Sequence, residues 1–529
     1  MPQDKMADEK SVCTERVQRY TYKESFKWSP WRLIHWLIVI TGVLYALWSF
    51  SVSKESEFLV KEMRRRTFAS SPYGFQRKQD TTHYAWRPKR HYVLLSWKWL
   101  LLHPVMGRAV AYASPSLVPV FHSIYSLLML ASLLSWEVAA LCLCEHALFY
   151  ALTVLRSPAL SYTAALLTQG HSLILRRNYL SYFFLPRGPP FFMITTSIVH
   201  WNILRCLSFS IDYIRAERLK TEHTRHRLPP YWKTLAYVVY VPTTYLGPLQ
   251  TYDDYVREVG KPRSPCRLRD VASIIARFLR SGVHFVLMET MTHFIYSSAM
   301  AEWPWMIEKL DATCIVGFVL ASHFFFYIRY VFAYGVAGAV ASAEGIDIPP
   351  HAKCIARLNK CSHFWRYFDR GMHLYIRRYV YEPVEGNRKK PGWTVVGTAS
   401  AFAFTWYWHG LHKEDGIWCL LSVLGISIEV FVTEVRKLRF IKCFEERYLG
   451  TPGRMREASA ILGSPHYLLT ILACLFHLAE VEVCFIVIKA ALFGFPFPVL
   501  PVLVVLYCAC HVSYDAFQWE AAREKRKQA

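Results

Sequence analysis

The chain has 529 residues, of which 53% are hydrophobic and 16% aromatic, and carries a formal charge of +23. That apolar share exceeds the roughly 45–50% of ordinary soluble domains, and it recurs in helix-length runs from end to end, which excludes a string of soluble domains. The charge lies mostly between the runs, whereas a nucleic-acid binder gathers it on one soluble face; no nucleic-acid partner is expected, and membrane lipids with anionic headgroups are.

Residues 1–30 are polar and basic, with no cleavable signal pattern. The first apolar run, 31–52, is too long for a signal core and is followed by no small-residue cleavage site, so it reads as a membrane anchor. A charged connection over 53–91 contains Arg64, Arg65 and Arg66. Residues 92–113 are aromatic and amphipathic and are predicted to lie in the interface or re-enter the membrane. Runs follow at 117–134, 136–155 and 159–175, the middle one interrupted by Glu137, Glu145 and His146. Of the 14 cysteines many lie inside such runs, Cys142 and Cys144 among them, which argues against a secreted disulfide framework. Next come a run at 190–211, a basic loop at 215–230 and a Pro- and Tyr-rich stretch at 233–250. Pro242, Gly247 and Pro248 predict a broken helix there, tolerated at membrane depth only where it is buried in protein or lines a cavity. Further runs lie at 272–299, 312–334, 393–411, 416–434, 466–490 and 495–516.

The expected fold is all-α: a polytopic integral membrane protein with about ten to twelve membrane-entering helices. One membrane domain spans 31–516, between the polar segment 1–30 and a basic tail, 517–529. Basic loops on both sides of most spans blunt the positive-inside rule. Lys525 and Lys527 stand fifth and third from the C-terminus, as in a dilysine retrieval signal of endoplasmic reticulum membrane proteins; a plain basic tail is the alternative.

The candidate chemistry lies in 351–410. Ionisable groups at membrane depth are functional candidates by default. Asp369 follows Trp365, Arg366, Tyr367 and Phe368; it is either a functional carboxylate or the partner of Arg366 or Arg370. Trp365, Arg366, Arg370, Arg377 and Arg378 are the candidate cofactor-binding residues: the arginines suit bidentate phosphate contacts, or else they snorkel to the interface. His409 ends a nearly uncharged run and lies among Trp406, Tyr407, Trp408 and Gly410. A partly desolvated imidazole there suits a general base; a histidine hydrogen-bonded inside the bundle is the other reading. His412, beside Lys413, Glu414 and Asp415, is expected nearer solvent. Glu429 either orients His409 or bonds a neighbouring helix. His351, Cys354, Cys361 and His363 are zinc-type ligands in a spacing that matches no known finger.

The segments WRYFDRGMHLYIRRYVYEPV (365–384) and FAFTWYWHG (402–410), with AYVVYVPTTYLGPL (236–249), FFFYIRYVFAYG (324–335) and CIARLNKCSHFWRYFD (354–369), resemble the membrane-bound O-acyltransferases, most convincingly over 190–435. The resemblance implies a catalytic cavity crossing the bilayer, with His409 as the catalytic histidine and Asp369 as its acidic partner. It implies acyl-CoA entering from the cytosolic side and a protein acceptor from the lumen of the endoplasmic reticulum. In the subfamily most resembled, palmitate passes from palmitoyl-CoA to the N-terminal cysteine of a secreted Hedgehog-type signal. A haem ligated by cysteine is also implied, and it maps onto Cys354. The basic loop VEGNRKKPG after the Asp segment departs from the pattern, and so do the last hundred residues.

Overall fold

The computed structural model describes residues 28–62, 68–174, 178–218, 228–386, 388, 390–494 and 498–528. The polar segment before residue 28, the arginines 64–66, and much of the basic loop at 215–230 lie outside them. Apart from a two-residue antiparallel pairing, Phe68–Ala69 with Gln79–Asp80, every described element is helical. In a bilayer each helix satisfies its own backbone polar groups, which an open sheet cannot do.

The principal helices are α1 (Pro30–Ser51), α2 (Arg87–Ala113), α3 (Val118–Leu133), α4 (Trp136–Val154), α5 (Pro158–Ile174), α6 (Pro189–Arg218), the broken pair α7 (Tyr231–Val239) and α8 (Val241–Thr244), α9 (Tyr252–Val259), α10 (Leu268–Phe294) and α11 (Ala312–Glu344). After the short α12 (Cys361–Tyr367) and α13 (Arg370–Ile376) come α14 (Pro391–Trp408), α15 (Lys413–Val435), α16 (Pro452–Leu478), α17 (Val481–Phe493) and α18 (Val499–Gln528). Among the described residues eight helical segments are long and apolar enough to cross a membrane. Three further helices, α2, α6 and α14, have 27, 30 and 18 residues.

Helix α11 is the axis of the fold. Its 33 residues span about 50 Å at 1.5 Å per residue. Asp311 caps its start, accepting from the Thr313 and Cys314 N–H groups at 2.8 and 2.9 Å, and Gly345 ends it in the left-handed region at φ +84°. In its most apolar stretch 61% of residues are buried, against 11% in α10. So α11 is wrapped by protein, while α10 turns Leu279, Val283 and Val286 outward, as a lipid-facing helix does.

Several boundaries differ from the sequence reading. Residues 92–113 belong to the longer α2, whose buried stripe Tyr92, Ser96, Leu100, His103 and Gly107 packs it into the bundle. The apolar run 312–334 continues to Glu344, because the small residues after Gly335 pack closely and nothing breaks the helix before Gly345. The run 466–490 divides at Ala479–Glu480, both extended, between α16 and α17. The basic residues after 516 continue α18 to Gln528.

The interrupted helix is wholly buried from Thr234 to Tyr252. Its freed backbone groups find partners within the protein: Tyr237 donates to the Gln250 carbonyl at 2.6 Å, Thr244 to that of Val239 at 2.8 Å, and Arg205 to that of Val238 at 3.1 Å.

Candidate active site

His409 caps the C-terminus of α14, its N–H bonded to the Thr405 carbonyl at 3.1 Å. Gly410 at φ +82° and Leu411 at φ +58° then turn the chain sharply into α15. A non-glycine residue in that region is strained, so the turn that presents the imidazole is held by its surroundings.

The His409 ring meets His477 edge-on at 4.9 Å and Trp418 at 5.6 Å between centroids. Trp418 and His477 stack on each other at 4.2 Å. The His477 Nδ1 donates to Asp415 Oδ1 at 2.7 Å, since an ionised carboxylate only accepts. The ligand atoms of His409, Asp415 and His477 lie within 4.8 Å of one another. This cluster can relay or hold a proton beside His409, and its ligand types also suit a divalent cation.

Asp369 is half-buried at the N-cap of α13. Its Oδ1 accepts from the Met372 N–H at 3.0 Å and its Oδ2 from the Tyr334 hydroxyl at 2.6 Å. Its partners are thus a helix cap and a phenol, and among the described residues neither Arg366 nor Arg370 forms an ion pair. Arg377 pairs with Glu382 at 3.1 Å, and Arg378 is committed to Asp212 at 2.8 Å and to Asp253. Trp365 stacks on Trp418 at 4.8 Å, and its indole N–H is buried without a partner among the described residues. Asp369 and His409 make no direct contact among the described residues. They are joined by packed rings: Tyr334 on Tyr330, Tyr330 and Phe326 on Phe368, and Phe326 against His477 at 5.4 Å.

A cavity of about 250 Å³ is lined by Lys89, His200, Tyr245, Gly247, Tyr334 and Trp408 among others. Tyr334 is the hydroxyl that holds Asp369, and Trp408 is the neighbour of His409, which does not itself line the cavity. Gly247 brings in the interrupted helix, as its prolines and glycine predicted. A Cβ at Gly247 would lie 2.6 Å from the Pro242 carbonyl oxygen and 2.9 Å from Thr243 Cα.

Other candidates take different places. Glu429 accepts from His466 at 2.9 Å and from the Ser362 N–H at 3.1 Å, so it serves a neighbouring helix and leaves orientation near His409 to Asp415. His412 is exposed. His351 bonds the Ala352 carbonyl, Cys361 faces that of Ser422, and His363 packs against Tyr367 and Phe517; with Cys354 they form no ligand group among the described residues. Burial pushes the Cys354 thiol up, opposed by the Ala356 N–H and the Arg357 charge. The net direction is upward, so the neutral thiol is the favoured form, and iron ligation there would require its proton to leave.

Sequence reasoning missed His477 and the burial of Asp415. The first lies inside the apolar run 466–490, and an ionisable group there is a signal the sequence carries. The second was masked by the charged residues before it.

A family model described as "membrane-bound O-acyltransferase family" matches residues 97–473. The mouse protein-cysteine N-palmitoyltransferase HHAT is 30% identical over 319 residues, covering 58% of this chain and 63% of the mouse protein. The chain therefore spans less than two thirds of that relative. The Drosophila melanogaster protein-cysteine N-palmitoyltransferase Rasp is 25% identical over 73% of this chain and 75% of its own. The Saccharomyces cerevisiae membrane-bound O-acyltransferase GUP1 is 23% identical over 76% of each.

Proposed function

The chain belongs to the membrane-bound O-acyltransferase family, and we propose that it transfers palmitoyl from palmitoyl-CoA to the N-terminal cysteine amine of a secreted Hedgehog-type protein. The observation that carries this reading is the cavity lined by Tyr334, which holds Asp369, and by Trp408, which precedes His409, together with the palmitoyltransferase names of the mouse and fly relatives.

An acyl thioester acylates an amine without a metal or redox partner. The amine attacks the thioester carbonyl, the C–S bond breaks, CoA leaves as thiol, and the amine loses a proton. An α-amino group with a pKa of about 7.7–8.0 is partly neutral at pH 7, so alignment is the main task, and alignment supplies roughly 7–11 kcal/mol. His409 takes the proton or donates to the developing oxyanion. His477, held by Asp415, positions His409. Asp369 organises the cavity wall through Tyr334. Arg366 and Arg370 meet the phosphates of CoA, with Arg377 behind them; Arg378, tied to Asp212 and Asp253, braces that segment, and Trp365 braces Trp418. An N-terminal cysteine adds a second route, thiol attack followed by S-to-N transfer.

In the same reading Cys354 would hold a haem iron, which would supply a redox or structural centre away from acyl transfer, and the protein resides in the endoplasmic reticulum membrane. Purified protein given labelled palmitoyl-CoA and peptides beginning with Cys, N-acetylated Cys or Ser tests the proposal. Acylation of the free Cys peptide alone is expected. Transfer only to a lipid moves the acceptor to another class, and no transfer by folded protein favours a transporter or scaffold.

A further inference from the structure

Far along α2 from its contact with the cavity, three helices bring together side chains that acyl transfer does not use. His103 of α2, His122 of α3 and Glu344, the last residue of α11, are each at most 1% exposed. Their ligand atoms lie within 4.8 Å of one another. His122 Nε2 is 2.5 Å from Glu344 Oε1, and His103 Nδ1 is 3.6 Å from Glu344 Oε2.

The surrounding groups are arranged around these three. The other nitrogen of His122 is bonded to the Tyr255 hydroxyl at 2.9 Å, and Glu344 Oε2 accepts from the Tyr240 hydroxyl at 2.8 Å. An outer hydrogen bond of this kind fixes the ring of a metal-bound histidine. Gly107, one turn beyond His103, leaves room for the carboxylate: a Cβ there would lie 2.9 Å from Glu344 Cδ. His103 alone is unsatisfied. Among the described residues neither of its ring nitrogens has a hydrogen-bond partner, although it is completely buried. Leaving a buried polar group unpaired costs about 1–3 kcal/mol, and a simple His–Glu pair would need only one histidine.

We propose that His103, His122 and Glu344 bind a divalent transition-metal ion of the zinc class. Two imidazoles and a carboxylate are a zinc ligand set. Tetrahedral ligands sit about 3.3 Å apart at zinc–ligand distances near 2.0 Å; the spacings of 2.5 and 3.6 Å to Glu344 reach this with shifts of under an ångström. The Tyr240 hydroxyl or a water completes the set. Tyr240 stands at the break between α7 and α8, so the ion pins the interrupted helix, whose far side lines the cavity at Gly247, to α2, α3 and α11. The role is structural and does not depend on the acyl-transfer reading.

The test uses full-length protein in detergent, exposed to ZnCl2, washed, and measured for metal content, with Co²⁺ substituted in parallel. About one equivalent of zinc per chain and the visible bands of tetrahedral Co²⁺ are expected. Both should be lost in His103→Gln and retained in His477→Ala, which separates this site from the cluster at His409. If His103→Gln does not elute as folded protein, Gly107→Ala, which displaces the Glu344 carboxylate without removing a ligand, is read for the same loss of Co²⁺ bands. Wild-type protein that retains no zinc, folded His103→Gln that keeps the full wild-type zinc content, or folded His477→Ala that loses it, overturns the assignment.

Discussion

Removing the Tyr334 hydroxyl tests how Asp369 works. The two Asp369 oxygens are divided between the Met372 N–H and the Tyr334 O–H, at 3.0 and 2.6 Å. A hydrogen bond to a charged group contributes about 1.5–3 kcal/mol, so Tyr334→Phe is expected to lose that much while its ring keeps its packing on Tyr330 at 5.4 Å. Asp369→Asn keeps the helix cap, since asparagine caps about as well as aspartate. Its single oxygen cannot serve both donors, so it loses a similar amount. Asp369→Ala also loses the cap, about 1 kcal/mol more. Because the two residues share one bond, the double variant Tyr334→Phe/Asp369→Asn should shift the thermal midpoint in detergent hardly more than either single change. Since Tyr334 lines the cavity, the KM for acyl-CoA should rise in both single variants. Strictly additive midpoint shifts, or an unchanged KM in both, refute the view that Asp369 acts through Tyr334 on the cavity wall.

Three further outcomes are expected. Asp415→Asn, which weakens the 2.7 Å bond to His477, should lower kcat about 10- to 100-fold, or roughly 1.4–2.7 kcal/mol, with KM unchanged; a pure KM effect contradicts a positioning role. Gly247→Ala drives a Cβ into the Pro242 carbonyl at 2.6 Å and should cost about 1–3 kcal/mol of stability, seen as a lower thermal midpoint, while Gly338→Ala on α11, which meets nothing within 4 Å, should leave the midpoint in place. Purified protein should show a Soret band that Cys354→Ser and Cys354→Ala both remove; a band that survives both changes frees Cys354 of that role.

What could be read from the sequence follows from the range of the forces involved. Spans such as α1, α4 and α15 were legible because apolar length is a local property. The broken helix was legible because Pro242, Gly247 and Pro248 act on their own backbone. The end of α11 was not, since Gly335–Glu344 is held helical by neighbours that press small residues together. Asp369 and His409 stood out as ionisable groups in aromatic surroundings, but Tyr334 was one phenol among many. His477 and Asp415 are 62 residues apart, and only the packing of α15 against α16 makes them partners. The same holds for His103, His122 and Glu344, which lie on three helices.

The most direct measurement of the central claim compares acyl transfer by wild-type protein and His409→Ala, matched for elution and thermal midpoint, from labelled palmitoyl-CoA to a Hedgehog-type peptide with a free N-terminal cysteine. General acid–base help is worth about 10²–10⁴-fold, roughly 3–5 kcal/mol. The account expects a loss of that size in His409→Ala with acyl-CoA binding retained, and a much smaller effect in His412→Ala. A well-folded His409→Ala protein that transfers at near the wild-type rate contradicts it.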